Sequence, residues 1–318
     1  MKRLAIIIAY LAFSLTAVAG TFTLMALTSS TAYAHDSDSD GGSRNVDQSR
    51  PLNATGELRV DNLAGSVRVA AWDKNEVRVT GNLGELVEKL EIEGDASSLE
   101  VKVVLPHDAH DSDCGSCADL QIQVPKGVRL EVSTVSADVQ ANGLTGQVQI
   151  GTVSGGIVMN SEASHIEAKT VSGDIQLVGS AKGASIDANS VSGTERLSDV
   201  DGNVDAENVS GDVKVVSRHV TGLKMSSTSG NLTFEGTPIK GGNYDLNNVS
   251  GDVVLAVGSS PDARFDISSF SGDIDNSFGP KATRVSKYSP GMELHFSSGN
   301  GSATVSARTL SGDIHLQN

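Results

Sequence analysis

The sequence predicts an all-β chain: a parallel β-solenoid, a flattened two-sheet β-helix of about 18–21 residues per rung, with a looser N-terminal β region. Three observations point there. A pentapeptide close to Val-Ser-Gly-Asp-Ile recurs along the chain, residues alternate between apolar and polar on either side of it, and no helical apolar pattern appears after Asn142.

Aligned on its serine, the motif falls at Ser136, Ser154, Ser172, Ser192, Ser210, Ser229, Ser250, Ser271 and Ser311. The gaps are 18, 18, 20, 18, 19, 21, 21 and 40 residues, the last about two units. A fixed period near twenty marks stacked supersecondary units, each burying its apolar face only against the next. Stretches such as "GDIQLVG" and "HIEAKTV" alternate with strand periodicity. Glycines nine apart, as at Gly193, Gly202 and Gly211, divide each unit into two short strands and two tight bends.

Before the repeats, Met1-Lys2-Arg3 precedes an apolar run from Leu4 to about Leu27, and Ala32-Tyr33-Ala34 follows it. A basic start, an apolar run and a small-x-small site make residues 1–34 a secretory signal. The run is also long enough for an uncleaved anchor. After cleavage 22 basic and 39 acidic side chains remain, a net charge of −17. That balance repels nucleic acid and anionic lipid. The expected mature protein is exported, to the periplasm, cell surface or medium, and has no further membrane span. Residues 35–51, "HDSDSDGGSRNVDQSRP", are polar and predict a flexible acidic leader.

Residues 52–130 form the N-terminal β region. "GELRVDNLAGSVRVAAWDKNEVRVTG" reads as three alternating strands, and "LEIEGDASSLEVKVVLP" as a hairpin turning at Gly94 to Ser98. The solenoid then occupies residues 131–318.

Within the motif, the first position is Val135, Val153, Val171, Val191, Val209, Val249, Phe270 and Leu310, which predicts an apolar stack inside the coil. The position after the acid is Val139, Ile157, Ile175, Val213, Leu232, Val253, Ile274 and Ile314, a second inward stack. The acid column itself reads Asp138, Gly156, Asp174, Thr194, Asp212, Asn231, Asp252 and Asp273. Side chains of this kind satisfy the amides of bends, and the alternation with neutral residues separates the charges. A calcium ladder would need a denser glycine-aspartate pattern. One rung, "VSGTERLSDVDG", puts Glu195 in the apolar position. A buried unpaired carboxylate is expensive, so a bulge that lets Leu197 fill the slot is expected. Residues 275–298 are irregular and read as an insertion. The last residues, "SGDIHLQN", would leave that end of the coil with unpaired strand edges, favouring a partner or self-association there.

Chemistry-bearing residues concentrate in one loop, residues 106–119, "PHDAHDSDCGSCAD". It holds both cysteines, Cys114 and Cys117, with His107, His110, Asp111 and Asp113 as further candidate metal ligands. Three readings are open. The cysteines could close a small disulfide, the cluster could bind zinc or copper, or the Cys-x-x-Cys could be a redox pair, although no βαβ context supports the last. Paired carboxylates for glycan hydrolysis would fall on Asp252 and Asp273, expected on adjacent rungs, but no sugar-positioning groups accompany them. No other catalytic or cofactor-binding residue stands out.

The stretches "GELRVDNLAGSVRVAAWDKNEVRV" and "IQVPKGVRLEVSTVSADV", followed by serial Val-Ser-Gly-Asp rungs, resemble the bacterial DUF4097 family of β-strand-repeat proteins, whose members often carry an adhesin label. The resemblance spans roughly Leu52 to Asn318. It implies a β-solenoid envelope protein and no catalytic residues; the cysteine loop falls outside the family's pattern. The expected function is therefore non-enzymatic: an adhesin-like or scaffold protein contacting an envelope protein, a glycan or itself through the solenoid ends. The alternatives are a periplasmic metal-binding protein using the 106–119 loop, and a polysaccharide-acting enzyme.

Overall fold

A computed structural model describes residues 44–106, 117–288 and 290–318. From Val148 onward each full rung has a long strand and a short one. His165–Ser172 with Ile175–Val178, then Ala184–Ser192 with Glu195–Ser198, then Asp201–Ser210 with Val213–Val216 are successive examples. Long strands pair in parallel with long strands, and short with short, in matching register. The two ladders share one hydrophobic core, so the chain is a parallel β-solenoid.

Alternation fills that core. Ile166, Ile186, Val204, Leu223 and Tyr244 stack inward from the long strands, and Ile157, Ile175, Val213, Leu232 and Val253 from the short ones. The second motif column therefore faces inward as expected. The first does not. Val153 is 40 % exposed, Val249 45 %, Leu310 53 % and Phe270 57 %. The inward residue at that corner is the one before, giving a buried polar column of Thr152, Thr170, Ser190, Asn208, Ser227, Asn248, Thr309 and Ser269. The reason is parity. Val171 and Ile175 lie four apart and would share a face of an unbroken strand, but the Ser-Gly-Asp bend between them resets the alternation.

The polar column has its own work at the bend. Asn208 donates to the Gly193 carbonyl at 2.7 Å and Asn248 to the Gly230 carbonyl at 2.8 Å. Small polar side chains thus satisfy carbonyls that the turn withdraws from the ladder. Glycine is required beside them. At Gly211 φ is +139°, and a Cβ would lie 2.1 Å from the Gly193 carbonyl oxygen one rung away.

The N-terminal end departs from the repeat. Glu57–Trp72 is one continuous strand, where two had been expected, and it pairs along most of its length with Arg129–Asn142. Lys89–Gly94 and Ser98–Val104 form the expected hairpin. Arg44–Pro51, expected in the flexible leader, is a strand antiparallel to Glu76–Leu83, which in turn pairs with Ala118–Pro125. Its composition buries little, but backbone pairing and the two-bond contact of Arg78 with Asp47, at 2.7 and 2.9 Å, hold it to the sheet edge.

The C-terminal end departs further. Ala303–Ser311 lies between Asn243–Ser250 and Ala263–Ser271, pairing in parallel with both, and Ile314–Gln317 does the same among the short strands. The last rung in sequence is the penultimate rung in space. The expectation of an open end at "SGDIHLQN" is therefore corrected. The insertion forms the closure instead: Met292–Ser298 runs antiparallel on Ala263–Ser271, with Thr283–Arg284 beyond it. Phe265 stacks on Phe296 at 4.7 Å and on Phe278 at 6.4 Å, which fills the last layer of the core.

No bulge forms at Glu195. It pairs in plain register between Ile175 and Val213, while Leu197 occupies its ordinary place between Leu177 and Val215. Glu195 is fully buried, and neither carboxylate oxygen has a hydrogen-bond partner. Burial pushes its carboxyl up to about 9; the Ser190 backbone opposes this but lies outside ordinary bonding geometry. The side chain is consequently neutral near pH 7, and a protonated carboxyl costs far less to bury than a charged one. Neutralisation replaces the expected rearrangement.

Candidate functional site

The acid column is structural. Asp138 accepts from the Gly156 amide, Asp174 from Thr194, Asp212 from Asn231 and Asn231 from Asp252, all at 2.7–3.0 Å. Each side chain caps the amide at the same position of the next rung. Because the C-terminal rung intervenes, Asp252 accepts from Asp313 and Asp313 from Asp273. Asp252 and Asp273 are thus not neighbours, which removes the expected carboxylate pair.

Of the 106–119 loop, residues 107–116 lie outside the described residues, including His107, His110, Asp111, Asp113 and Cys114. Cys117 is buried and disulfide-bonded, so it has no thiolate to offer a metal. Among the described residues no group of three or more histidine, cysteine or acidic side chains is placed to hold a metal ion.

A different site is visible on the outer face of the long strands. Outward positions align across rungs as Asp187, Asp205, Lys224 and Asp245, beside a second row of Ser185, Asn203, Gly222 and Asn243. The register slips between Gly202 and Asn203, where Thr221 enters as an extra residue. That slip sets Gly222 opposite Asn203, and a Cβ at Gly222 would come within 2.5 Å of the Asn203 side-chain oxygen. A groove of about 620 Å³ lies at this slip on the outer face.

Polar groups converge on this groove. Thr221 donates its hydroxyl to Asn203 at 3.2 Å, and Lys224 donates to both oxygens of Asp205 at 2.9 and 3.1 Å. Lys224 also bonds Glu207 on the same neighbouring rung. Partial burial raises the Asp205 carboxyl above its usual range although Lys224 opposes it. The Lys224 ammonium is held above its ordinary value: desolvation lowers it, but bonds to Glu207 and Asp205 prevail. The arrangement offers amides, carboxylates, two hydroxyls and one ammonium in an open cleft with no aromatic lining. It suits a ligand rich in hydroxyl groups held by hydrogen bonds. Sequence reading missed these residues. The available signal was the lengthening of the repeat gap from 18 to 19 residues between Ser210 and Ser229, which marks the rung carrying Thr221 and Gly222.

No helix among the described residues is long and apolar enough to cross a membrane. Comparison with known proteins places this architecture. The family described as Toastrack DUF4097 matches residues 21–317. No curated protein matches the chain. Similar solved structures include a provisionally named cell adhesion protein from Clostridium sporogenes, 9 % identical, covering 86 % of this chain and 99 % of its own, with a TM-score of 0.25. A provisionally named lipid binding protein from Parabacteroides distasonis is 10 % identical, with 88 % and 98 % covered and a TM-score of 0.37. A provisionally named adhesin from Bacteroides fragilis is 10 % identical, with 86 % and 97 % covered and a TM-score of 0.32.

Proposed function

The chain belongs to the DUF4097 (Toastrack) family, and on that footing we propose that it is an exported, non-enzymatic interaction protein of the adhesin-like kind, binding a glycan through the groove at Gly222. The observation that carries this reading is the groove itself: one interruption of an otherwise regular polar face, lined by Asp187, Asn203, Asp205, Lys224, Asn243 and Asp245. The Asp187 and Asp205 carboxylates lie one rung apart, about 4.8 Å, and the Asn203 and Asn243 amides two rungs apart, a row of donors and acceptors for a ligand rich in hydroxyls. The basic start and apolar run before Ala34 support export.

Non-enzymatic action is supported by the roles of the acids. Those of the bend column cap amides, Asp205 is tied to Lys224, and Glu195 is sealed in the core. These described acids thus already have structural partners or are out of reach of a ligand, unlike the paired carboxyl groups that glycan cleavage needs.

The test is a glycan array followed by calorimetric titration of the best binder against the wild type, Lys224→Gln and Gly222→Val. Binding that weakens about tenfold or more in both variants, with unchanged thermal stability for Lys224→Gln, supports the reading. Lack of any carbohydrate ligand, or a ligand that binds both variants as well as the wild type, removes it.

A further inference from the structure

Five of the eight large apolar side chains exposed among the described residues gather at one corner of the C-terminal end: Val249, Leu310, Phe270, Val285 and Tyr288. The register puts them together. Asn248 pairs with Thr309 and Thr309 with Ser269, so the outward residues that follow, Val249, Leu310 and Phe270, lie side by side. The antiparallel ladder continues from Ser269 to Met292 and on to Arg284, and the Val285 amide donates to the Gly291 carbonyl at 3.0 Å. Val285 therefore extends the same row beyond Phe270, across the gap left by Gly291. Tyr288, 94 % exposed, stands at the turn of this hairpin.

The charge around the row is unlike that of the rest of the molecule. From Asn276 to Met292 the chain has Lys281, Arg284 and Lys287 and no acid, within a protein of net charge −15. All three are exposed, and none forms an ion pair with a described residue. Acids border this stretch: Asp273 and Asp275 precede it, Asp275 lying 3.2 Å from His315, and Glu293 follows it. Asp252 and Asp313 lie round the bend and accept amides of the next rung, and Glu293 lies 3.7 Å from His295. Asp273 stands at the end of that acid column, donating its amide to Asp313.

We propose that this corner is a peripheral membrane-docking surface that seats the solenoid on an anionic lipid bilayer. An exposed apolar row of about 20 Å, four rung spacings long, ends at Val285, and the turn that follows carries a tyrosine suited to the headgroup level. The basic residues beside it meet anionic lipid at short range, inside the roughly 8 Å over which the acidic body of the protein is screened. Local complementarity thus overrides the unfavourable overall charge. The glycan groove lies on the outer long-strand face and is independent of this corner.

The experiment is co-sedimentation of residues 35–318 with vesicles of phosphatidylcholine alone and of equal parts phosphatidylcholine and phosphatidylglycerol. Binding is expected only to the anionic vesicles and to fall with added salt. The combined Lys281→Glu, Arg284→Glu and Lys287→Glu variant is expected to bind at least about tenfold more weakly. Val285→Ser with Tyr288→Ser is expected to weaken binding with the melting temperature unchanged. No binding to anionic vesicles, or binding unaffected by charge reversal, overturns the proposal. So does a solution dimer that Leu310→Ser with Phe270→Ser dissociates, because the row would then belong to a contact between two copies.

Discussion

The middle of the solenoid and its two ends are built from the same alternating strands but solve different problems. Between Val148 and Ala256 each rung meets an equivalent rung above and below, and the sequence repeats accordingly. At the ends no equivalent neighbour exists. There the chain abandons the repeat for antiparallel pairing: Arg44–Pro51 on Glu76–Leu83 at one end, and Met292–Ser298 on Ala263–Ser271 at the other. Periodicity marks where a strand edge is covered by a copy of itself, and its loss marks where something else must cover it.

The largest test of this contrast removes residues 303–318. In an ordinary repeat array, loss of the final unit frays one edge. Here it opens a gap between two rungs and strips Val305, Ile314 and Leu316 from the core. The expected loss is about 5 kcal/mol or more from apolar burial alone, with aggregation in size-exclusion chromatography. A soluble truncated chain with the wild-type melting temperature would refute the inserted-rung arrangement.

Next in size is glycine substitution within the middle. Gly211→Ala drives a Cβ into the Gly193 carbonyl and strains a positive φ, for about 2–4 kcal/mol by denaturant titration. Gly151→Ala meets nothing within 4 Å and should change stability by less than about 0.5 kcal/mol. Equal effects would show that the bends do not set the rung spacing.

Glu195 departs from the middle's rule of apolar inward positions, and pH exposes it. A carboxyl raised from 4.5 to about 9 on folding stabilises the native state fully below about 4.5. That contribution falls by on the order of 1.4 kcal/mol per pH unit as pH rises towards 9, and levels off above it. Glu195→Gln should lack this slope when the two proteins are melted in parallel from pH 5 to 9. Glu195→Leu should be more stable than wild type at pH 7 by about 1–3 kcal/mol. Parallel curves for wild type and Glu195→Gln would mean that the carboxyl is solvated.

The smallest expected effect concerns the amide-capping column. Asp212→Ala leaves the Asn231 amide without its 2.8 Å partner at an exposed bend and should cost about 0.5–1.5 kcal/mol. A loss of several kcal/mol would give the column a larger share of stability than its exposure suggests.

Much of the architecture was legible, because a period near twenty and strict alternation admit few other packings. The inward column from Val139 to Ile314 follows directly from them. The outward turn of Val153 and Phe270 was not legible, since counting residues assumes an unbroken strand and the bend breaks it. Nor was the inserted rung. The 40-residue gap between Ser271 and Ser311 signals an insertion, but placing Ile314 on either side of Ile274 buries the same faces. Contacts distant in sequence, such as Phe265 with Phe296, go with the arrangement found. The neutral Glu195 was hidden for another reason: residue type does not state protonation, which the surroundings determine. The groove lay in a one-residue lengthening of a single rung, a signal that is small beside the natural scatter of the gaps.

The inserted rung also orders events in time. A chain emerging amino end first can stack as far as Ala256, whose next neighbour is Gln317. Residues 263–271 can pair antiparallel with Met292–Ser298, but residues 263–276 cannot join the stack until residues 303–317 arrive, since their parallel partners are Ala303–Ser311 and Ile314–Gln317. Residues 303–317 therefore work as a keystone, and a chain halted before Ala303 should hold its leading rungs while leaving residues 263–300 open to protease.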